Sequence, residues 1–300
     1  LTEESNIDGK IVSAKWYNNK NESIETALVN AEVKIELITE NISDGSQIKV
    51  QIKEKDADVL KILNTTVKEN KIKYDKIKLE EEWEDKILLI TVQNNVSQPF
   101  NGTDFLTVEA QFCDPLDTMK IRKNRASNLY GKVRTKEGVA NSKNHQGFDY
   151  YAVSGTDIKA VSDGVVKKIV KPSSGDYGIQ LVIKIDNSIY YAFYAHLSEI
   201  GSGISIDSEV KKGDTIGKTG KTGNASSLTR GDLHLHFECR TEVSPGLGLV
   251  GRESPNRIVV TKFYTQNDTV DTNGNYTKNQ TNSGVKKVES DGTETLMSIE

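Results

Sequence analysis

The chain has four histidines, His145, His196, His234 and His236, and all fall within 92 consecutive positions of a 300-residue sequence. Neutral imidazole is a common zinc ligand and a proton carrier near neutral pH, so this clustering is where chemistry is to be sought. Four unrelated polar residues with satisfied rings would be the ordinary explanation. It fits poorly with their setting in strand-like segments rich in glycine and tyrosine. The run Leu233-His234-Leu235-His236-Phe237-Glu238-Cys239 alternates polar and apolar residues. On a strand, residues i and i+2 point the same way. His234, His236 and Glu238 then share one face, while Leu235, Phe237 and Cys239 form the core face. The same parity excludes Cys239 as a ligand. His145-Gln146-Gly147-Phe148-Asp149 is the second piece. Gly147 and the following Tyr150-Tyr151-Ala152-Val153 read as a turn into a strand rather than a helix.

His145, Asp149 and one histidine of the pair would give three N/O ligands and leave the fourth tetrahedral position for water, as in catalytic zinc sites. With no thiolate in the set, Zn²⁺ is favoured over metals that prefer softer ligands. Zinc lowers the pKa of bound water to about 7. These residues alone do not say which of His234 and His236 binds metal and which handles protons. Carbonic anhydrase also combines H-x-H with a further histidine, but it would leave Asp149 without a role.

The elements that must position this set are strands. From about Arg125 the sequence is glycine-rich with frequent turn signals. Asp163-Gly164 separates Ile158–Val161 from Val165–Val170, and further strands are expected over Ile179–Ile185 and Ile189–Tyr194. Tyr194 shares the His196 face by parity and reads as an ordinary core tyrosine. Residues up to about Phe112 also read as all-β. Ala31, Val33, Ile35 and Leu37 alternate with charged residues, Ile48, Val50 and Ile52 alternate with Lys49, Gln51 and Lys53, and more strands are expected at 11–17, 71–79, 86–92 and 105–112. Six or seven short antiparallel strands in about a hundred residues suggest an immunoglobulin-like sandwich. A short helix is allowed near Asp56 to Leu63. The expected division is a sandwich over 1–113, a polar linker over 114–124, a catalytic domain over 125–265 and a disordered polar tail over 266–300.

A net charge of −4 gives no case for a nucleic-acid partner, and no apolar run approaches the roughly 18 residues of a membrane span. The start, Leu1-Thr2-Glu3-Glu4, suggests a mature form or an excised piece. Cys113 and Cys239 could form one long-range bridge or stay as small buried side chains; spacing does not decide.

Residues 125–242 resemble the lysostaphin-like, or LytM-type, zinc endopeptidases. The resemblance runs through Tyr130-Gly131-Lys132-Val133-Arg134, His145 to Val166, Tyr194-Ala195-His196-Leu197-Ser198, Val210 to Gly217, Thr222-Gly223 and His234-Leu235-His236-Phe237-Glu238. It implies a small antiparallel sheet with a groove for an extended peptide, which with the N-terminal sandwich makes the expected molecule all-β. It implies that His145, Asp149 and His236 bind Zn²⁺, that His234 is the general base and that His196 is a second catalytic histidine. The implied reaction is hydrolysis of peptide cross-links in bacterial peptidoglycan, outside the cytoplasm, in wall remodelling or as an antibacterial effector with an immunity or inhibitor protein. A non-catalytic regulator of other wall hydrolases is the alternative, although every ligand of the motif is present. Two departures stand out. Asn224 to Asp232 is longer than the family's usual Gly/Ser-rich turn, and Leu233 stands where the family often has Pro or Thr.

Overall fold

A computed structural model describes residues 9–93, 96–171, 175–266 and 283–300. The described residues are all-β apart from short 3₁₀ turns, and the chain divides into two compact units, Leu1–Gln111 and Phe112–Glu300.

The first unit contains β1 (Lys10–Tyr17), β2 (Thr26–Leu28), β3 (Glu32–Glu40), β4 (Gln47–Glu54), β5 (Val59–Thr66), β6 (Lys71–Lys78), β7 (Ile87–Val92), β8 (Phe100–Asn101) and β9 (Leu106–Glu109). One sheet has the order β1-β3-β6; the other runs β2-β9-β7-β4-β5, with β8 on β7. Alternation explains the core. Val33, Ile35 and Leu37 from one sheet and Ile48, Val50 and Ile52 from the other are buried in one cluster, while the lysines and glutamates between them face outward. Two packed sheets make this unit a β-sandwich. The helix allowed near 56–63 is absent, because residues from Val59 pair with β4 as the edge strand β5.

The second unit contains β10 (Gly131–Lys136), β11 (Val139–His145), β12 (Phe148–Tyr151), β13 (Asp157–Lys159), β14 (Gly164–Val170), β15 (Ile179–Ile185), β16 (Tyr191–Ile200), β17 (Glu209–Val210), β18 (Thr215–Thr219), β19 (His234–Arg240), β20 (Arg252–Glu253), β21 (Lys262–Thr265), β22 (Val285–Val288) and β23 (Glu294–Met297). Its main sheet has the order β12-β19-β16-β15-β14-β17. Around this path, β18 pairs with β13 and β16, and β20 with β19. Leu235, Phe237 and Cys239 of β19 join the principal core. The opposite face carries His234, His236 and Glu238, as parity predicts.

Two expected boundaries differ from the structure. Residues 114–124 are no free linker: Leu116, Met119 and Ile121 are buried in the second unit's core, and Tyr151 N–H donates to the Lys120 carbonyl at 2.8 Å. Asp114 accepts hydrogen bonds from the backbone of Val260 and Thr261. Polar composition concealed three apolar anchors. The expected tail also divides. Residues 267–282 lie outside the described residues, but β22 and β23 add to β21 as a three-stranded sheet and bury Val285. The two cysteines are unbridged, and burial pushes both thiol pKa values up.

Candidate metal centre

β12 and β19 lie side by side with Asp149 opposite His236, so a carboxylate and an imidazole are placed together by sheet register alone. His145 ends β11, and Gly147 makes the turn into β12. A Cβ on Gly147 would sit 2.1 Å from the Phe237 carbonyl oxygen, so only glycine lets this turn pass against β19. His145 Nε2 and His236 Nδ1 then lie 3.0 and 2.9 Å from the same Asp149 Oδ1, and 3.3 Å from each other. Among the described residues, His145, Asp149 and His236 are the one group of three whose ligand atoms converge in this way.

The third histidine segment arrives by a break in alternation. Tyr194 and Leu197 of β16 face the principal core, whereas Phe193 and Ala195 face away. One extra residue therefore lies between Tyr194 and Leu197, and that residue is His196, with φ of +61°. This left-handed conformation costs a non-glycine residue about 1–2 kcal/mol and aims its ring beside the other histidines. The His196 and His234 ring centroids are 5.0 Å apart. Tyr194 is a core residue, its hydroxyl accepting from the Val161 N–H.

Every imidazole is fixed by an acceptor on its outer side. His145 Nδ1 donates to the Leu129 carbonyl, His196 Nδ1 to that of Thr222 and His234 Nδ1 to that of Asp232, at 2.8, 2.9 and 2.9 Å. His236 Nε2 donates to Glu238 Oε1 at 3.0 Å. Each neutral ring consequently turns a lone pair inward. His145 Nε2, His236 Nδ1 and Asp149 Oδ1 are then three acceptors in mutual contact. Such a set is stable only around a cation, a proton or a metal ion, and outer acceptors of this kind orient metal-bound histidines.

The charge environment agrees. Burial, then the Arg134 charge, lower the His145 pKa to about 4, and burial with the neighbouring histidines lowers that of His196 to about 3. Burial also lowers His234. For His236, burial acts downward but the Asp149 and Glu238 hydrogen bonds outweigh it, so the pKa is raised. Burial would raise the Asp149 pKa, yet His145, His234 and Arg134 hold it well below the carboxylate range. Arg134 donates to Asp149 Oδ2 at 2.7 Å, leaving Oδ1 to the histidines.

Several neighbours escaped sequence reasoning. Tyr177 stacks near His236 with ring centroids 5.2 Å apart, and nothing in its local pattern marks it. Arg240 and Arg252 both hold Glu238. Parity marks Arg240; Arg252 arrives from the next strand without a signal. The long segment before H-x-H also has a physical role, since Asp232 pairs with Arg122 and Lys123 while its carbonyl fixes His234.

Residues 143–246 match the model of peptidase family M23. Over that span the chain is similar to peptidase family M23. The chain is 35% identical over 101 residues to DD-carboxypeptidase/endopeptidase Mpg of Neisseria meningitidis serogroup B, covering 34% of this chain and 21% of that protein. It is 32% identical over 124 residues to peptidoglycan DD-endopeptidase ShyC of Vibrio cholerae serotype O1, covering 41% and 25%. Among solved structures, the catalytic domain of the prophage-encoded M23 protein EnpA from Enterococcus faecalis is 26% identical, with 48% of this chain and 95% of that one covered and a TM-score of 0.36. The chain therefore spans a quarter or less of these two curated relatives, and all five residues of the site lie inside the span that matches M23.

Proposed function

We propose that the chain is a zinc-dependent endopeptidase that hydrolyses peptide cross-links of bacterial peptidoglycan, acting outside the cytoplasm. The observation that carries this reading is the convergence of three fixed lone pairs from His145, Asp149 and His236, with two further inward-facing imidazoles beside them. Curated relatives named as peptidoglycan or glycyl-glycine endopeptidases support the substrate class. No helix among the described residues is long and apolar enough to cross a membrane.

On this reading His145, Asp149 and His236 hold the metal. Bound there, zinc would supply a Lewis acid for the scissile carbonyl and lower the pKa of water toward neutrality. His234 Nε2 stands farther from Asp149 Oδ1, at 3.6 Å, and its free lone pair suits it to take a proton from the attacking water. It then returns that proton to the leaving amine. His196 is neutral at rest with Nδ1–H committed to Thr222, so its Nε2 begins as an acceptor. A proton taken up from solvent as substrate binds, and returned to solvent when the adduct collapses, would make Nε2 a donor toward the developing oxyanion. Tyr177 and Phe193 beside His236 exclude water from that flank.

An inactive regulator is the second reading, and the complete histidine and aspartate set argues against it. Mass spectrometry of purified peptidoglycan digested by the zinc-loaded chain tests the proposal. Split peptide cross-links without new reducing ends are expected, with loss of cleavage after chelation. New reducing ends with intact cross-links would overturn it. An antibacterial role would add an inhibitor protein encoded alongside, to be sought by co-purification.

A further inference from the structure

The β19 face that presents His234 and His236 continues to Glu238 and Arg240. Arg240 and Arg252 are buried, at 5% and 7% exposure, and both donate through Nε to Glu238 Oε2 at 2.6 Å. The other oxygen of Glu238 is committed to His236. Two guanidinium groups thus share one carboxylate, and among the described residues neither has a second carboxylate within ion-pair distance. Their remaining contacts are neutral, the Phe193 ring and Val243 carbonyl for Arg240 and the Gly246 and Gly248 carbonyls for Arg252, so the site stays net positive and suits an anion. It faces a cavity of about 330 Å³ lined by Arg240, Arg252, Lys168, Gln146, Tyr177 and Gln180. The Lys168 ammonium donates to Ser244 Oγ at 2.8 Å and, among the described residues, has no acidic partner. The cavity adjoins the metal centre: Tyr177 lines it, stacks near His236 and donates its hydroxyl proton to Gln146.

We propose that this cavity is a subsite for a carboxylate of the substrate peptide. The proposal rests on the peptidase reading and narrows its substrate to peptides with an acidic group at a defined distance from the cut. Guanidinium forks and amide donors match a carboxylate in shape and charge. Leu247, 93% exposed at the rim, offers aliphatic contact to the neighbouring substrate residue. Four residues of β19 separate His236 from Arg240, about 13 Å at strand rise, while Tyr177 brings the near wall closer to His236. An extended substrate therefore places the carboxylate about two to four residues from the scissile bond.

The test uses the full zinc-loaded chain and peptides that it cuts. These are synthesised as pairs that differ only by carboxylate or carboxamide, two, three or four residues to either side of the cut. Acid and amide have nearly the same shape, so the pair isolates charge. For the best-placed pair the acid is expected to be cut with a kcat/KM about ten-fold higher, mainly through KM. Lys168→Gln, at a partly exposed position that tolerates the change, should shrink that ratio. Equal cutting of every pair would overturn the subsite while leaving the peptidase reading intact. An unchanged ratio in Lys168→Gln would place the carboxylate elsewhere and also overturn it. Failure to cut peptidoglycan or any peptide is a different result, and it would remove the peptidase reading itself.

Discussion

A neutral imidazole has one N–H and one lone pair, and the partner chosen by the first decides where the second points. Here Leu129, Thr222, Asp232 and Glu238 take the N–H groups of four histidines, so the lone pairs turn toward one another. Side chains that only filled a core would not be arranged this way, since the inward acceptors repel. The proposed roles divide the five residues by what their loss removes. Alanine at His145, Asp149 or His236 leaves two protein ligands, too few to enforce a tetrahedral site, and should strip zinc. Alanine at His234 should keep zinc and slow turnover about 10²–10⁴-fold. Alanine at His196 should keep zinc and cost about 10²–10³-fold. Zinc analysis beside a rate assay on all five variants is decisive. A His234 variant that loses metal while a His236 variant keeps it would reverse the strand's two assignments.

Strands set these side chains, and strand parity is what made the site legible from sequence. The alternation of His234 to Cys239 separated the histidine face from the core face, because a two-residue period survives burial on both sides. Parity failed at Tyr194 and His196, where one inserted left-handed residue changes the phase and no local residue type announces it. It also could not see Arg134, Tyr177 or Arg252, which reach the site from other segments and are joined to it only by the fold. Glu238 was placed on the correct face, but its task depends also on Arg252 from the neighbouring strand. Burial would raise the Glu238 pKa, and the hydrogen bonds from His236 and then Arg240 hold it below the usual range. Glu238→Gln should therefore leave His236 in place with a poorer acceptor, and weaken zinc affinity about 10–100-fold. Competition with a chromophoric chelator measures this. An affinity unchanged within twofold would mean that Glu238 only fills space.

At the scale of the molecule, the sequence separated two β units correctly in kind but cut the second one too short at both ends. Composition led the division: residues 114–124 and 283–300 are polar on average, and averages hide single anchors. Leu116, Met119 and Ile121 on one side and Val285 on the other enter the same core as Phe148, Tyr150 and Phe237. Gly284 bridges to Arg125, and the Ser283 carbonyl accepts the Ala126 N–H, so the two ends of the unit are also tied to each other. Val285→Ala should cost about 1.5–3 kcal/mol of stability from lost burial and the small cavity left behind, read from denaturant unfolding. Cutting further is a stronger test. A fragment of residues 112–300 keeps the core whole and contains every proposed ligand, so it should fold, bind zinc and cut small soluble substrates. A fragment of residues 125–266 retains the same five site residues but loses those anchors and exposes the edge of β21, which invites aggregation. It should unfold without a cooperative transition, or unfold far below the longer fragment, when both are followed by circular dichroism. Equal melting temperatures for the two would show that the terminal segments decorate a core already complete without them. The longer fragment, folded and zinc-loaded yet inert on substrates cut by the full chain, would instead make the sandwich unit part of the catalytic machinery.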